Sequence, residues 1–380
     1  IRALIVCGAN PLRSYANTAE MKKAFEKLDL LVVMDTSHTE TAMAADYVLA
    51  TPGGYEKYEW STFGRKFPNL TVHLRPPVVE PTGDLKVEAE IFNQLLLHSG
   101  GPAKAPKWLK SLGKKGWENK LIGPAIIVSG MIAAKGNPVQ AFVRWVNWAY
   151  DAVGDSLPAK HTASLWLTCQ LVSFTRYRQF KTLPGLETPT RNPFILGTKW
   201  FRQILDNPNG TIMATLPWDW HLKQALGHKD KKIQLLPKPL LTIFKRVVNE
   251  SFQTTDEFPM WLSAGERSPG TANTIMRDPS WRKGRTSRCL LKINPEEASK
   301  LGLENDDWVE LITSAGQAKV QVILDSAMRH DNVSIPNGLG LLYPNDEGEL
   351  KPFGINPNDL TDYRWRDELT GIPSHKTVPC

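Results

Sequence analysis

The sequence predicts an α/β domain on a parallel sheet, then an irregular, mostly helical stretch, then a small β-barrel. Three observations carry this. Short continuous apolar runs alternate with segments of helical period over residues 1–100, the pattern of strands covered by helices on both faces. Residues 101–255 are helical in pattern but broken by Pro and Gly. Residues 256–380 read as strand, short helix, strand, turn and strand, with period-two alternation. Domains are therefore expected at 1–100, 101–255 and 256–380 of the 380 residues.

The elements follow in order. "RALIVCG" reads as a buried strand ending at Gly8, with Cys7 packed inside it. Asn10-Pro11 turns the chain, and "NTAEMKKAFEKL" places Ala19, Met21, Ala24, Phe25 and Leu28 at helical spacing. "DLLVVMD" is a second buried strand ending in Asp35, and "TETAMAADYVLA" a short helix followed by a strand from Tyr47 to Ala50. "LTVHLRPPVV" is extended, and "DLKVEAEIFNQLLLHSG" is an amphipathic helix stopped by Gly100-Gly101. The middle carries helices in "QAFVRWVNWAYDAVG" and "TKWFRQILD". In the last third, Asn294-Pro295-Glu296-Glu297 starts a helix, with an Asn cap, Pro in the first turn and acids facing the dipole. Residues 308–313 alternate, turn at Ser314-Ala315-Gly316 and return in 319–324, a hairpin with one buried face.

Charge is uneven. Residues 101–250 hold 22 Lys and Arg against 8 Asp and Glu, a net +14 within a chain of +7 overall, and eight of the thirteen Trp. Cys7, Cys169, Cys289 and Cys380 form no C-x-x-C pair, so spacing indicates no zinc or iron–sulfur site, and lone packed thiols are expected. The eight His show no metal-ligand spacing. The longest apolar run, "GPAIIVSGMIAA", is too short to span a bilayer. The chain opens on Ile1 almost inside a strand, the expected look of a fragment or the second half of a longer chain.

Gly8 stands between a strand and a helix, where backbone can approach an anion. Asp35 ends the second strand, where a nucleotide-binding unit places a carboxylate for a ribose hydroxyl. On these two residues alone, an ordinary doubly wound sheet with a turn glycine explains the pattern as well. The wider stretch "GANPLRSYANTAEMKKAFEKLDLLVVMDTSHTETAMAADYVLATPGGYEKYEW" resembles the third domain of the molybdopterin oxidoreductases, the family of dimethyl sulfoxide reductase and formate dehydrogenase. "SAGERSPGTANTIMRDPSW", "INPEEASKLGLENDDWVELITSAGQAKVQV", "VSIPNGLG", "GINPNDLTD" and "TGIPSHK" are similar, in that order, to the family's last domain. "LDNPNGTIMATLPWDWH" and "KKIQLLPKPLLTIF" are similar to the segment that rejoins its second domain.

The resemblance implies an α/β pterin-dinucleotide-binding domain and a double-psi type barrel. It implies a bis-molybdopterin guanine dinucleotide cofactor with Mo or W, and two-electron chemistry of formate dehydrogenase or oxo-transfer type. Any iron–sulfur cluster and the protein ligand to the metal would lie in a missing N-terminal part, so no catalytic residue is named. Gly8, Asn10 and Pro11 would line the phosphate and nucleoside turn, and Asp35 would accept from ribose or guanine. Thr39 and Thr41 would add hydroxyl contacts or cap the following helix. Gly265, Glu266 and Arg267 would form a turn whose guanidinium meets a phosphate, followed by Asn273 and Thr274. Asn337, Gly338 and Gly340 would let backbone reach the pterin, with Asn356, Asn358 and Lys376 at its polar edge or phosphates.

Expected partners are the upstream half of the same enzyme and an acidic electron-transfer protein drawn to the basic middle. A membrane surface is the competing account of the face formed by Phe142, Trp145, Val146, Trp148 and Ala149, with packing inside the enzyme as the plain one. No nucleic-acid motif accompanies the basic pI. A cytoplasmic location is favoured. The alternative function is a structural subunit of a respiratory complex that has lost the cofactor.

Overall fold

The computed structural model describes residues 1–61, 68–101, 104–180, 190–215, 226–249, 254–267, 277–278, 288–345 and 347–380. Its first half runs β1 (Ala3–Cys7), α1 (Pro11–Ser14), α2 (Thr18–Phe25), β2 (Leu30–Asp35), α3 (Glu40–Met43), β3 (Tyr47–Ala50), β4 (Glu59–Ser61), β5 (Asn69–Arg75), α4 (Glu88–His98), α5 (Lys107–Gly113), α6 (Ile122–Ala133), α7 (Pro138–Val153) and α8 (Ala163–Phe180). There follow α9 (Pro193–Leu205), β6 (Thr211–Thr215), α10 (Lys238–Val247), β7 (Trp261–Glu266), β8 (Leu290–Ile293), α11 (Pro295–Lys300), β9 (Trp308–Thr313), β10 (Gly316–Leu324), β11 (Asn332–Pro336), β12 (Leu341–Pro344), β13 (Leu350–Phe353) and β14 (Val378–Pro379). The chain divides into two compact units, residues 1–49 with 242–380, and residues 50–241.

In the first unit, β1, β2 and β3 make a three-stranded sheet in that order, with β1 parallel to β2 and Ile5 opposite Val32. The central strand is the buried one: Val33 and Met34 are wholly inside. The first strand departs from expectation. It is one of the two edge strands among the described residues, and Ile5 stays 46% exposed and Cys7 lies on the surface instead of packing. Of the other thiols, only Cys169 is fully buried, and burial pushes it up to about 12.

The same unit holds a six-stranded mixed sheet in the order β14-β7-β11-β8-β10-β9. Two parallel pairs, β7 with β11 and β8 with β10, are joined where β8 and β11 run antiparallel. The expected hairpin is present as β9 and β10, antiparallel with Thr313 opposite Gly316. One face of these strands is apolar and closes over Leu262, Ile293, Val322, Ile335 and Leu360. Parallel neighbours that are not consecutive in sequence need crossover connections, so this sheet cannot be a simple meander.

The second unit packs α4 to α9 beside a small antiparallel sheet, β4-β5-β6. Its core holds Leu109, Ile122, Ile126, Trp166 and Phe201, all essentially inaccessible. In the aromatic face noted above, Trp148 and Ala149 are buried, and Trp145 donates from Nε1 to the Ile127 carbonyl at 2.8 Å. Phe142 remains exposed. Among the described residues, no helix is long and apolar enough to cross a membrane.

Asn-Pro starts recur through both units. Asn137, Asn192 and Asn294 each accept from a backbone N–H in the first turn of the helix that follows, and Asn356 does the same for a 3-10 turn at Pro357–Asp359. Asn10 precedes Pro11 in the same way but makes no such cap. Its side chain is drawn elsewhere, and that leads to the site.

Candidate functional site

Two polar clefts open on the first unit. The first encloses about 520 Å³ and is lined by the β1–α1 loop (Gly8, Ala9, Asn10), the end of β2 (Asp35), the loop after it (Thr36, Ser37, Thr39), and Arg277, Asp278 and Tyr343. It brings together four predicted residues: Gly8, Asn10, Asp35 and Thr39. Gly8 has φ +57°, in the left-handed region, and nothing stands within 4 Å of the position a Cβ would take. The conformation requires glycine there, and the space beyond it is open to a ligand. Asp35 accepts from the Ser37 N–H at 3.1 Å through one oxygen, a local turn at the strand end.

The threonines serve the helix. Thr39 Oγ1 accepts from the Ala42 N–H at 3.2 Å and caps α3, and Thr39 also lines the cleft. Thr41 is fully buried. Its hydroxyl donates to Asn10 Oδ1 at 2.7 Å and accepts from the Leu12 N–H at 3.2 Å. Asn10 is thereby held from both ends of its amide, because its Nδ2 donates to Glu40 Oε2 at 2.6 Å.

Glu40 is the residue that sequence reasoning passed over. It opens α3, where an acid is unremarkable beside the helix dipole. In the fold it is buried and accepts from four directions: Asn10, Arg277 Nη1 and Nη2 at 3.1 and 2.7 Å, and the Leu342 N–H at 2.6 Å. Arg277 also donates to the Leu342 carbonyl at 2.9 Å. Burial alone would raise the Glu40 pKa, but the Arg277 guanidinium, the Leu342 N–H and the Asn10 amide outweigh it and hold the carboxyl at about 2. A depressed carboxyl adds stability that is whole above the ordinary value of 4.5 and is lost only as pH falls toward 2, so Glu40 is ionised throughout the neutral and mildly acidic range. The one sequence signal that covers it is its place in "TETA", within the stretch that carries the family resemblance.

The second cleft encloses about 790 Å³ beside β7, β11 and β8 of the six-stranded sheet. It gathers Gly265, Arg267, Asn337 and Lys376, all predicted, with Glu266, Lys292, Asp325 and His375. Lys292 sits between Glu266 at 3.0 Å and Asp325 at 3.7 Å and is compensated. Arg267 and Lys376 have no such partner among the described residues. Burial, then these two cations, push His375 below its ordinary imidazole value, so it favours the neutral form. The cleft thus presents two uncompensated cations and a neutral imidazole, a set suited to an anion.

The remaining predicted residues lie elsewhere. Pro11 occupies the first position of α1. Asn356 and Asn358 both donate from Nδ2 to the Arg13 carbonyl, at 3.2 and 2.7 Å, and so tie the last domain's loop to the first helix of the chain. Gly338 and Gly340 have φ +84° and +75°. A Cβ on Gly340 would fall 2.2 Å from the Asn356 nitrogen, so its bareness serves a backbone contact. Asn273 and Thr274 lie outside the described residues. Among the described residues, no group of three or more His, Cys, Asp or Glu could hold a metal ion.

One cleft is edged by carboxylates and the other by two cations without an ion-pair partner among the described residues, both on a single unit. Comparison with known proteins identifies the family. Residues 1–97 match the molybdopterin oxidoreductases, and residues 260–379 match the molydopterin dinucleotide binding domain; the chain belongs to the molybdopterin oxidoreductase family. It is 31% identical to the trimethylamine-N-oxide reductase of Haemophilus influenzae over 325 residues, 83% of this chain and 33% of that protein. It is 33% identical to formate dehydrogenase H of Escherichia coli over 103 residues, 27% of this chain and 14% of that protein. The dimethyl sulfoxide/trimethylamine N-oxide reductase of Cereibacter sphaeroides is 22% identical over 368 residues, 91% of this chain and 37% of that protein. The chain therefore spans well under half the length of the curated relatives it matches. Among solved structures, acetylene hydratase from Pelobacter acetylenicus shares the fold over 100% of this chain and 43% of its own, with TM-score 0.59 and 18% identity.

Proposed function

We propose that this chain holds the guanine dinucleotide arms of a bis(pyranopterin) molybdenum or tungsten cofactor in an oxidoreductase. The observation that carries the reading is the pair of clefts. The residues present fit such a group. The first cleft offers Asp35 and Asp278 as acceptors for guanine N–H or ribose O–H, with Gly8 leaving backbone accessible. The second offers Arg267 and Lys376 to a diphosphate, with Gly265 and Asn337 beside them. The six-stranded sheet is read as a double-psi type barrel, as the resemblance implies; in chain order its parallel pair β8–β10 is nested within the parallel pair β7–β11. When bound, the cofactor supplies two-electron redox chemistry at its metal, while the protein positions and tunes it.

Of the two chemistries, oxo transfer is the better supported, since the N-oxide and sulfoxide reductases align along most of the chain and formate dehydrogenase H along about a quarter. The iron–sulfur cluster and the protein ligand to the metal are assigned to an upstream part of the same enzyme. The electron partner is read as an acidic protein, attracted by the +14 of residues 101–250.

Native protein containing this chain is expected to release about two guanine nucleotides per chain on acid hydrolysis, with one molybdenum or tungsten by elemental analysis. Folded native protein without guanine nucleotide would support the structural-subunit alternative instead. Asp35→Ala is expected to weaken cofactor retention by about 1.5–3 kcal/mol, the loss of one charged hydrogen bond, without unfolding the sheet. Asp35 lies at a strand end where its partner is the local Ser37 N–H, so the fold does not depend on it. A variant with the full metal load would show that Asp35 does not touch the ligand.

A further inference from the structure

We propose that Glu40 is a positioning residue for the first cleft: its carboxylate sets Asn10 and Arg277 where the bound nucleoside meets them. The inference rests on the dinucleotide reading above. Three groups distant in sequence converge on this one side chain. Asn10 comes from the β1–α1 loop, Arg277 is 237 residues further along than Glu40, and the Leu342 N–H comes from β12, 302 residues further along. Asn10 and Arg277 both line the cleft, whereas Glu40 is buried behind them and does not.

A tie of purely structural purpose does not need a charge there. Well-packed apolar side chains commonly serve as well as a buried ion pair or better. What a carboxylate adds is direction, because its two oxygens fix the planar guanidinium and the amide at set angles. It also cancels the Arg277 charge. With Asp35 and Asp278 at the rim, the cleft then favours a neutral, donor-rich ligand part over a free phosphate.

Asn10 shows the effect. Four other Asn-Pro pairs cap the helix or turn they open, whereas Asn207 donates to the Gln203 carbonyl at 2.7 Å and Asn10 is held by Glu40 and Thr41. Without the carboxylate, the Asn10 amide N–H₂ loses its acceptor while Thr41 still holds its Oδ1, and Arg277 loses both its bonds to Glu40.

The test compares bound guanine nucleotide per chain in purified native protein for wild type, Glu40→Gln and Asp46→Ala. Gln keeps the size and can still accept from Leu342, but turns an amide N–H₂ toward groups that need an acceptor. Asp46 accepts from the Leu31 N–H at 2.7 Å within the same sheet and does not line the cleft, so its variant reports simple destabilisation. Glu40→Gln is expected to lower retained nucleotide about tenfold after gel filtration, while Asp46→Ala keeps it at a comparable fall in Tm. Glu40→Asp, which keeps the charge and lacks the reach, is expected to shed nucleotide several-fold and serves if the Gln variant does not accumulate. Wild-type nucleotide content in both Glu40 variants would overturn the proposal, as would equal losses in Asp46→Ala. Wild-type protein devoid of guanine nucleotide would sink the dinucleotide reading itself, and this proposal with it.

Discussion

Phe201→Ala is expected to destabilise the unit formed by residues 50–241 by about 3–5 kcal/mol. The side chain is wholly buried on α9, and its ring meets Trp117 edge-on, with centroids 4.9 Å apart and planes at 82°. Removing it deletes a large apolar volume and one aromatic pair, and the surrounding helices can close the gap only in part. Trp117 is also stacked under the Arg202 guanidinium at 5.1 Å, so its environment changes on both sides when α9 shifts. Guanidinium titration followed by tryptophan fluorescence measures the effect. A loss below about 1 kcal/mol would mean that the site collapses freely or is solvated, contrary to the packing described.

Gly340→Ala carries the second large effect, about 2–5 kcal/mol in the unit formed by residues 1–49 and 242–380. Two costs add. The backbone at φ +75° is unfavourable for any residue with a Cβ, and the new methyl would lie 2.2 Å from the Asn356 nitrogen and 2.6 Å from the Ile355 carbonyl carbon. Both are main-chain atoms, so no side chain can swing aside. The loop that must move carries Asn356 and Asn358, whose amides bond the Arg13 carbonyl, so the strain reaches the first helix of the chain. Gly8→Ala is the control. Its φ is +57° but its Cβ would meet nothing, so only the conformational cost of about 1–2 kcal/mol applies. Equal Tm losses in the two variants would refute the close-contact account of Gly340.

Local features were legible in the sequence because their causes are local. The second strand announces itself as Leu30–Met34, and it is the buried centre of its sheet. Asn294-Pro295 predicts the start of α11 from capping chemistry alone, and Asn294 accepts from the Glu296 N–H at 2.9 Å. The hairpin of β9 and β10 follows from alternation and a Gly turn. Gly8 and Asp35 could be placed at strand ends for the same reason, and both line one cleft.

The sequence by itself determined the strands and helices of the first hundred residues, the cap at Asn294, the hairpin after it, the family resemblance and which loops carry glycine and amides; α5, α6 and α8 and the caps at Asn137 and Asn192 came only with the structure. Only the tertiary structure decided how those loops are used. An apolar run does not say whether it will be a central or an edge strand, so the exposure of Ile5 and Cys7 was invisible until neighbours were counted. An asparagine before a proline reads as a cap, and Asn10 escapes that role only because Glu40 and Thr41 stand beside it in space. An acid in the first turn of a short helix reads as a dipole partner. Glu40 becomes a buried anchor because Arg277 and Leu342, hundreds of residues away, fold onto it. Burial and charge pairing are properties of distance in space, and nothing in local period or composition encodes which distant groups will meet.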